Sequence, residues 1–330
     1  KGREPMMMKA VDSEYFAQIL PDADIPDYMY QVTYGDGHVV KCRDAYAFPA
    51  TIPEEDIKKF QAGIHYEIYK VLGAHPMRIR GIKGVRFAVW APDAMRVSVV
   101  GDFNQWDGRR HPMQRREGGI HELFIPGLKE GELYKYEIKL KGDTVVLKSD
   151  PYGTLMQKRP DNASVIYNIY RKHQWQDEVW MKQRKKDSTK EKPEFIYELH
   201  LAGFMRPDAV IETDDEGHET VVQEAGFYNY RELAHKVADY VKDMGYTHVE
   251  LMPVMEHPLD ESWGYQATGF FSPTSRYGTA DQLKSFIDAC HKHNIGVLMD
   301  FVPVHFAVSH QGDQLGQHLR PGLQLGSLQP

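Results

Sequence analysis

From residue 195 to residue 302 the chain alternates strand and helix, and this constrains its architecture more than any other feature. Phe195-Ile196-Tyr197-Glu198-Leu199-His200-Leu201 is β-rich, and so are Thr247-His248-Val249-Glu250-Leu251-Met252 and Gly296-Val297-Leu298-Met299-Asp300-Phe301-Val302. Between them lie two segments of helical period. The first is Tyr230 to Met244, with Leu233, Val237, Tyr240, Val241 and Met244 on one face. Asn229 suits its N-cap and Gly245 its C′ position. The second is Thr279 to His293, with Leu283, Phe286, Ile287 and Cys290 apolar. Near-continuous apolar strands joined through helices predict a parallel sheet. A doubly wound sheet is one way to build it. The connection from Pro253 to Gly278 is far longer than such loops usually are, and long loops at strand C-termini are where barrel enzymes place their sites.

Ahead of this region the pattern is all-β. Val85-Arg86-Phe87-Ala88-Val89-Trp90 and Arg96-Val97-Ser98-Val99-Val100 alternate with period two. His121–Ile125, Tyr134–Ile138 and Val145–Leu147 continue the series, punctuated by Gly101-Asp102 and Asp107-Gly108. Evenly spaced short strands predict a β-sandwich. Trp90 is expected to point inward with Phe87. Further upstream, Tyr28–Tyr34 and Val39-Val40 flank the turn Gly35-Asp36-Gly37 as a hairpin. Pro53-Glu54-Glu55-Asp56 opens a helix that runs through Ile57 and Phe60 to about Gly63. Residues 181–192 are almost all charged or polar and read as a solvated domain linker.

These patterns give a multidomain chain. An extension at 1–62 precedes an immunoglobulin-like sandwich at 63–175. A linker at 176–193 leads to about three βα units, the first part of a (β/α)8 TIM barrel, at 194–308. From 309 to 330 aromatic residues vanish, although Phe, Trp and Tyr make 12% of the whole chain. That tail is read as non-native sequence, with a natural disordered C-terminus as the alternative.

Composition narrows the partners. The formal net charge is −7 and no basic stripe is present, so no nucleic acid is expected. No apolar run reaches the roughly 18 residues of a membrane span, so no membrane is expected. The two cysteines, Cys42 and Cys290, make no disulfide framework, which favours a cytoplasmic location.

The densest chemical signal is the loop Ser262–Gly278. Trp263, Tyr265, Phe270, Phe271 and Tyr277 crowd it beside Gln266 and Arg276. Aromatic faces can stack on sugar rings while Gln and Arg bond their hydroxyls; alternatively the aromatics plug the barrel mouth. Asp300 ends the third strand and His305 follows. Both belong at the C-terminal face of a parallel barrel, where such a pair can grip sugar hydroxyls or a developing charge, or simply satisfy each other. Spacing places no third ligand for a metal.

Three stretches carry a specific resemblance: Glu250-Leu251-Met252-Pro253-Val254-Met255-Glu256-His257-Pro258, Ser262-Trp263-Gly264-Tyr265-Gln266, and Pro273-Thr274-Ser275-Arg276-Tyr277-Gly278. Together they resemble the 1,4-α-glucan (glycogen) branching enzymes of the α-amylase superfamily, glycoside hydrolase family 13. Asp300–Phe306 is similar to that family's first signature region. Gly264-Tyr265-Gln266 favours branching enzymes over trehalose-forming relatives. Tyr66–His75 and Phe87–Trp106 resemble the family's N-terminal carbohydrate-binding module, family 48. The resemblance extends over about residues 28 to 308.

The resemblance implies an α-glucan partner and no cofactor. It implies that Tyr265 stacks on the glucosyl unit at the cleavage subsite, with Asp300, His305 and Gln266 around it. Trp106 lies at a sandwich turn, where it is either a glycan contact or core. The implied chemistry is retaining double displacement, in which an Asp attacks the anomeric carbon and a Glu protonates the leaving oxygen. By the family pattern those residues follow the fourth and fifth barrel strands, which have no counterpart here. The expectation is therefore a chain that is inactive alone. A non-catalytic α-glucan-binding remnant and a different α-glucan-active enzyme are the alternatives.

Overall fold

A computed structural model describes residues 6–12, 16–19, 28–170, 173–186, 192–207, 209–213, 216–223 and 226–303. The expectations for His305 and for 309–330 fall outside the described residues.

The all-β region forms two four-stranded antiparallel sheets. The first runs in the order Gly73–Ile79, Ile82–Trp90, Ile120–Pro126, Gln114–Arg115. In the second, Leu133–Lys139 pairs with Arg96–Val100 and Val145–Lys148, and at its start with Ser164–Val165. Period-two alternation sends Val85, Phe87 and Val89 to one side, where they meet Leu123, Ile125, Val97, Val99, Tyr134 and Tyr136 in a sealed core.

The opposite face of the first sheet is also covered. The helix Glu54–Gln61 lies over it, with Ile52, Ile57, Val71, Leu72, Ala88 and Ile120 buried between them. Trp90 belongs to this outer layer and not to the core with Phe87. Three residues along a strand reverse the side-chain direction. Its ring packs edge-on against Phe60 at 5.8 Å, and its ring N–H donates to the Gly118 carbonyl at 2.9 Å.

The second region holds a three-stranded parallel sheet, Ile196–Leu199, His248–Leu251, Gly296–Met299, in sequence order. Sequential order is shared by the first strands of a barrel and by one half of a doubly wound sheet, so topology alone leaves both open. Leu199, Val249 and Leu251 face the helices Tyr230–Asp243 and Ala280–Lys292, and one apolar cluster joins Leu233, Val237, Val241, Leu283, Phe286 and Cys290 to them. Both helices start on capping boxes. Asn229 accepts from the Glu232 amide while Glu232 accepts from the Asn229 amide, and Thr279 and Gln282 repeat the arrangement. Gly245, at φ +83°, follows the first helix.

Several expectations are corrected. Tyr240 and Met244 stay 36% and 59% exposed, because the buried stripe of their helix is Tyr230, Leu233, Ala234, Val237, Ala238 and Val241. The helical stripe is a turn closer to the N-terminus than the apolar spacing suggested. The connection 253–278 is not structureless: Met255–Glu256 pairs with Gly269–Pro273. A hairpin of Val210–Thr213 and Glu219–Gln223 was not foreseen. The described part of the charged stretch, residues 181–186, is exposed as expected, but the helix that carries it is anchored just ahead of it. Glu178–Lys186 is helical and docks through Trp180, whose ring stacks on His291.

Candidate functional site

The strand ends and the long loop meet at two residues. Asp300 follows the third strand directly, and its backbone N–H donates to the Leu251 carbonyl at 3.0 Å, which ties it to the end of the middle strand. The Tyr265 hydroxyl donates to Asp300 Oδ2 at 2.7 Å. Both residues are half-buried.

Backbone geometry aims Tyr265 there. The turn Asp260–Ser262 ends at Trp263 with φ +52°, and Gly264 follows at φ +90°. A Cβ on Gly264 would sit 2.1 Å from the Pro253 carbonyl oxygen, so only glycine lets the loop close against Pro253. The Tyr265 amide then donates to the Ser262 carbonyl at 2.9 Å.

The phenol is surrounded by acids. Its pKa is pushed up to about 12, first by the hydrogen bond to Asp300, then by burial and by the charges of Asp300, Glu198 and Glu250. The parallel register sets Glu198 beside Glu250 on neighbouring strands. Tyr265 therefore stays a neutral donor, its ring available as a platform among carboxylates that accept hydrogen bonds. Glu198 and Glu250 were not singled out from sequence. The signal was present: each is the carboxylate at the third position of a short parallel strand, before a buried Leu.

A buried ionic cluster supports the loop from behind. Glu256 accepts from Arg276 Nη1 at 2.9 Å, from the Ser275 amide at 2.6 Å and from Thr274 Oγ1 at 3.1 Å. Arg276 Nε donates to Asp260 at 2.7 Å, and Arg159 of the sandwich reaches the same Asp260 at 2.6 Å. The Arg276 side chain is only 5% exposed. This corrects the expectation that Arg276 would bond sugar hydroxyls, since Nε and Nη1 are spent inside the protein and Nη2 is buried away from the surface.

The loop aromatics divide into buried and exposed residues. Tyr277 is buried at 3% exposure and packs on Tyr230. Trp263 is 57% exposed, and Phe271 is 43% exposed. Gln266 is exposed next to the Tyr265–Asp300 pair in the chain. Trp106 stays in the sandwich, half-buried, its ring N–H donating to Asp102 Oδ1 at 2.8 Å. Among the described residues, no group of three or more His, Cys, Asp or Glu could hold a metal ion, and no helix is long and apolar enough to cross a membrane.

Comparison with known proteins matches two segments to families. Residues 71–153 match carbohydrate-binding module 48 (isoamylase N-terminal domain), and residues 231–315 match the alpha amylase catalytic domain. Over longer spans the chain is similar to proteins named 1,4-alpha-glucan branching enzyme GlgB. That of Nitrosococcus oceani is 45% identical over 88% of this chain and 39% of its own length. Those of Thermosynechococcus vestitus and Methylococcus capsulatus are each 44% identical, over 94% and 90% of this chain and 42% and 40% of their own lengths. The chain thus spans about two fifths of the length of these relatives.

Proposed function

We propose that this chain, a relative of the 1,4-alpha-glucan branching enzymes over most of its length, supplies the α-glucan-binding part of such an enzyme. In this reading the enzyme moves an α-1,4-linked segment to a 6-hydroxyl and so forms an α-1,6 branch. The two sheets of residues 73–165 are an immunoglobulin-like sandwich, and the three parallel strands are the opening βα units of a (β/α)8 barrel. A cytoplasmic location fits the absence of a disulfide framework.

The observation that carries the reading is the Tyr265–Asp300 hydrogen bond at the C-terminal ends of the parallel strands. A pyranose has an apolar C–H face and a hydroxyl edge. The Tyr265 ring takes the face, and Asp300, with Glu198 and Glu250 nearby, accepts from the edge. Gln266 adds an amide at the rim, and His305 completes the subsite by the family pattern. In the whole enzyme the bond is broken by double displacement. An Asp attacks the anomeric carbon as a Glu protonates the departing oxygen. The 6-hydroxyl of an acceptor chain then displaces the Asp, returning its proton to the same Glu.

Binding of maltohexaose to the 330-residue chain, followed by calorimetry, tests this. Tyr265→Ala should weaken binding about tenfold, and Tyr265→Phe less, because the platform survives. Cellohexaose, with β-1,4 links, should not compete. Equal affinity for both oligosaccharides, or binding indifferent to Tyr265→Ala, overturns the reading.

A further inference from the structure

The sandwich loop 156–163 is rooted in its own sheet. Met156 bridges Ser164, the Gln157 amide donates to the Ala163 carbonyl at 2.8 Å, and the Val165 amide donates to the Leu155 carbonyl at 2.8 Å. Ser164–Val165 is in turn laddered to the start of Leu133–Lys139. From that root the loop touches the connection 253–278 on both sides of Tyr265. Ahead of it, Arg159 Nη2 donates to Asp260 Oδ2 at 2.6 Å and Nη1 to the Pro258 carbonyl at 3.4 Å. Beyond it, the Ser275 hydroxyl donates to the Gln157 carbonyl at 3.4 Å.

Asp260 carries the first contact to the site. It opens the turn Asp260–Ser262, and its carbonyl accepts from the Trp263 amide at 3.0 Å. Trp263 and Gly264 then follow at positive φ, so the direction in which the chain leaves this turn decides where the Tyr265 ring goes. The two oxygens of Asp260 are divided. Oδ1 takes Arg276 Nε, from the same connection, and Oδ2 takes Arg159, from the sandwich. Arg276 therefore ties Asp260 to its own segment, whereas Arg159 fixes it against a different sheet. The Arg159 and Asp260 side chains are 37% and 48% exposed, and an ion pair this open to water adds little to global stability. A two-acceptor contact that contributes little to folding, yet holds the turn beside the site, serves placement.

We infer that Arg159 of the sandwich is a positioning residue for the oligosaccharide site: through Asp260 it sets the turn that aims Tyr265 at Asp300. The sandwich is then a working part of that site. The ligand rests on the function proposed above; the hold of Arg159 on the turn does not.

Hydrogen–deuterium exchange and maltohexaose calorimetry on the 330-residue chain test the inference, with urea midpoints as the check on folding. Arg159→Gln should speed exchange across residues 259–268 and weaken maltohexaose binding about fivefold, the upper end for one exposed ion pair, at an unchanged urea midpoint. Arg159→Lys keeps a charge on Asp260 and should return both readouts to within about twofold of wild type. In an Asp260→Asn background, Arg159→Gln should change neither. Wild-type exchange at the turn in Arg159→Gln overturns the inference. So does wild-type affinity, a loss of affinity that only tracks a lowered urea midpoint, or a loss that lysine fails to recover. If the wild-type chain binds no maltohexaose, the proposed function falls, and exchange at the turn alone decides whether Arg159 holds it.

Discussion

The Trp180 ring lies face to face with the His291 ring, centroids 3.6 Å apart and planes 7° from parallel. His291 Nδ1 is also 2.7 Å from Asp177 Oδ2, and the Gln176 amide donates to Asp288 at 2.7 Å. A segment rich in charged and polar residues is thus pinned to the helix Ala280–Lys292 by one aromatic residue and three short polar contacts, the third from Lys292 Nζ to the Gln176 side-chain oxygen at 2.5 Å.

Trp180→Ala should release that segment. An aromatic pair contributes about 1 kcal/mol beyond its buried area, so global stability should fall only modestly. Local opening should respond more, since the helix that carries the already exposed Arg184, Lys185 and Lys186 can then unwind into a protease site. A trypsin time course should show faster cutting between residues 182 and 192, and unchanged cutting in the variant rules the pinning role out.

Arg276→Ala is expected to destabilise the loop by about 3–5 kcal/mol, the usual cost of leaving a buried carboxylate without its partner. Glu256 is the stranded group, its side chain only 7% exposed. The variant should also weaken oligosaccharide binding although Arg276 touches no sugar, because Tyr265 hangs from the same loop. Urea denaturation and calorimetry read the two effects separately. Full binding in a destabilised protein would show that the cluster does not position Tyr265.

Gly264→Ala probes the aim of Tyr265 from the other side. The added methyl meets the Pro253 carbonyl, and φ +90° is strained for any L side chain. The loop must shift and the Tyr265–Asp300 hydrogen bond must lengthen. Affinity for maltohexaose should fall about tenfold, roughly as far as in Tyr265→Ala. A variant that binds like wild type would mean that the bond to Asp300 does not matter for the sugar.

Much of this architecture is legible in the chain, for physical reasons. Asn229 and Gly245 mark one helix because unsatisfied end groups demand specific residues at its ends. Strand alternation marks the sandwich because one face of each strand must leave water. What escaped depends on partners distant in sequence. The short strands Gln114–Arg115 and Ser164–Val165 exist only through the ladders they join. Trp90 was placed on the wrong face by grouping it with Phe87 and disregarding parity. Arg276 looked available for ligand because nothing in its own segment announces Asp260 or Glu256. In the candidate site, Tyr265 and Asp300 stand out as unusual residues in a loop and at a strand end. Glu198 and Glu250 become visible as a pair only once the register sets their strands side by side.

The sandwich should also carry a pH signature that belongs to one carboxyl. Asp150 is fully buried, accepting from the Tyr134 hydroxyl at 2.7 Å, the Tyr136 hydroxyl at 3.1 Å and the Tyr152 amide at 2.8 Å. Burial outweighs these hydrogen bonds and raises its pKa to about 6. A carboxyl whose pKa is higher folded than unfolded stabilises fully below the unfolded value and loses that contribution as pH rises through the folded one. From pH 4 to pH 7 Asp150 should therefore cost on the order of 3 kcal/mol. His75 works in the opposite sense over part of the same range. Its pKa is down at about 4, so its contribution is present above about pH 6.5 and fades as pH falls toward 4. Burial lowers the pKa of His111 and His121 too, which act in the same sense as His75, so the wild-type curve does not isolate Asp150 and the informative quantity is a difference. Urea midpoints for wild type and Asp150→Asn, taken every half unit from pH 4 to pH 7, should converge as the pH rises, with Asp150→Asn gaining on wild type. A constant offset between the two curves would mean that Asp150 does not titrate in this window.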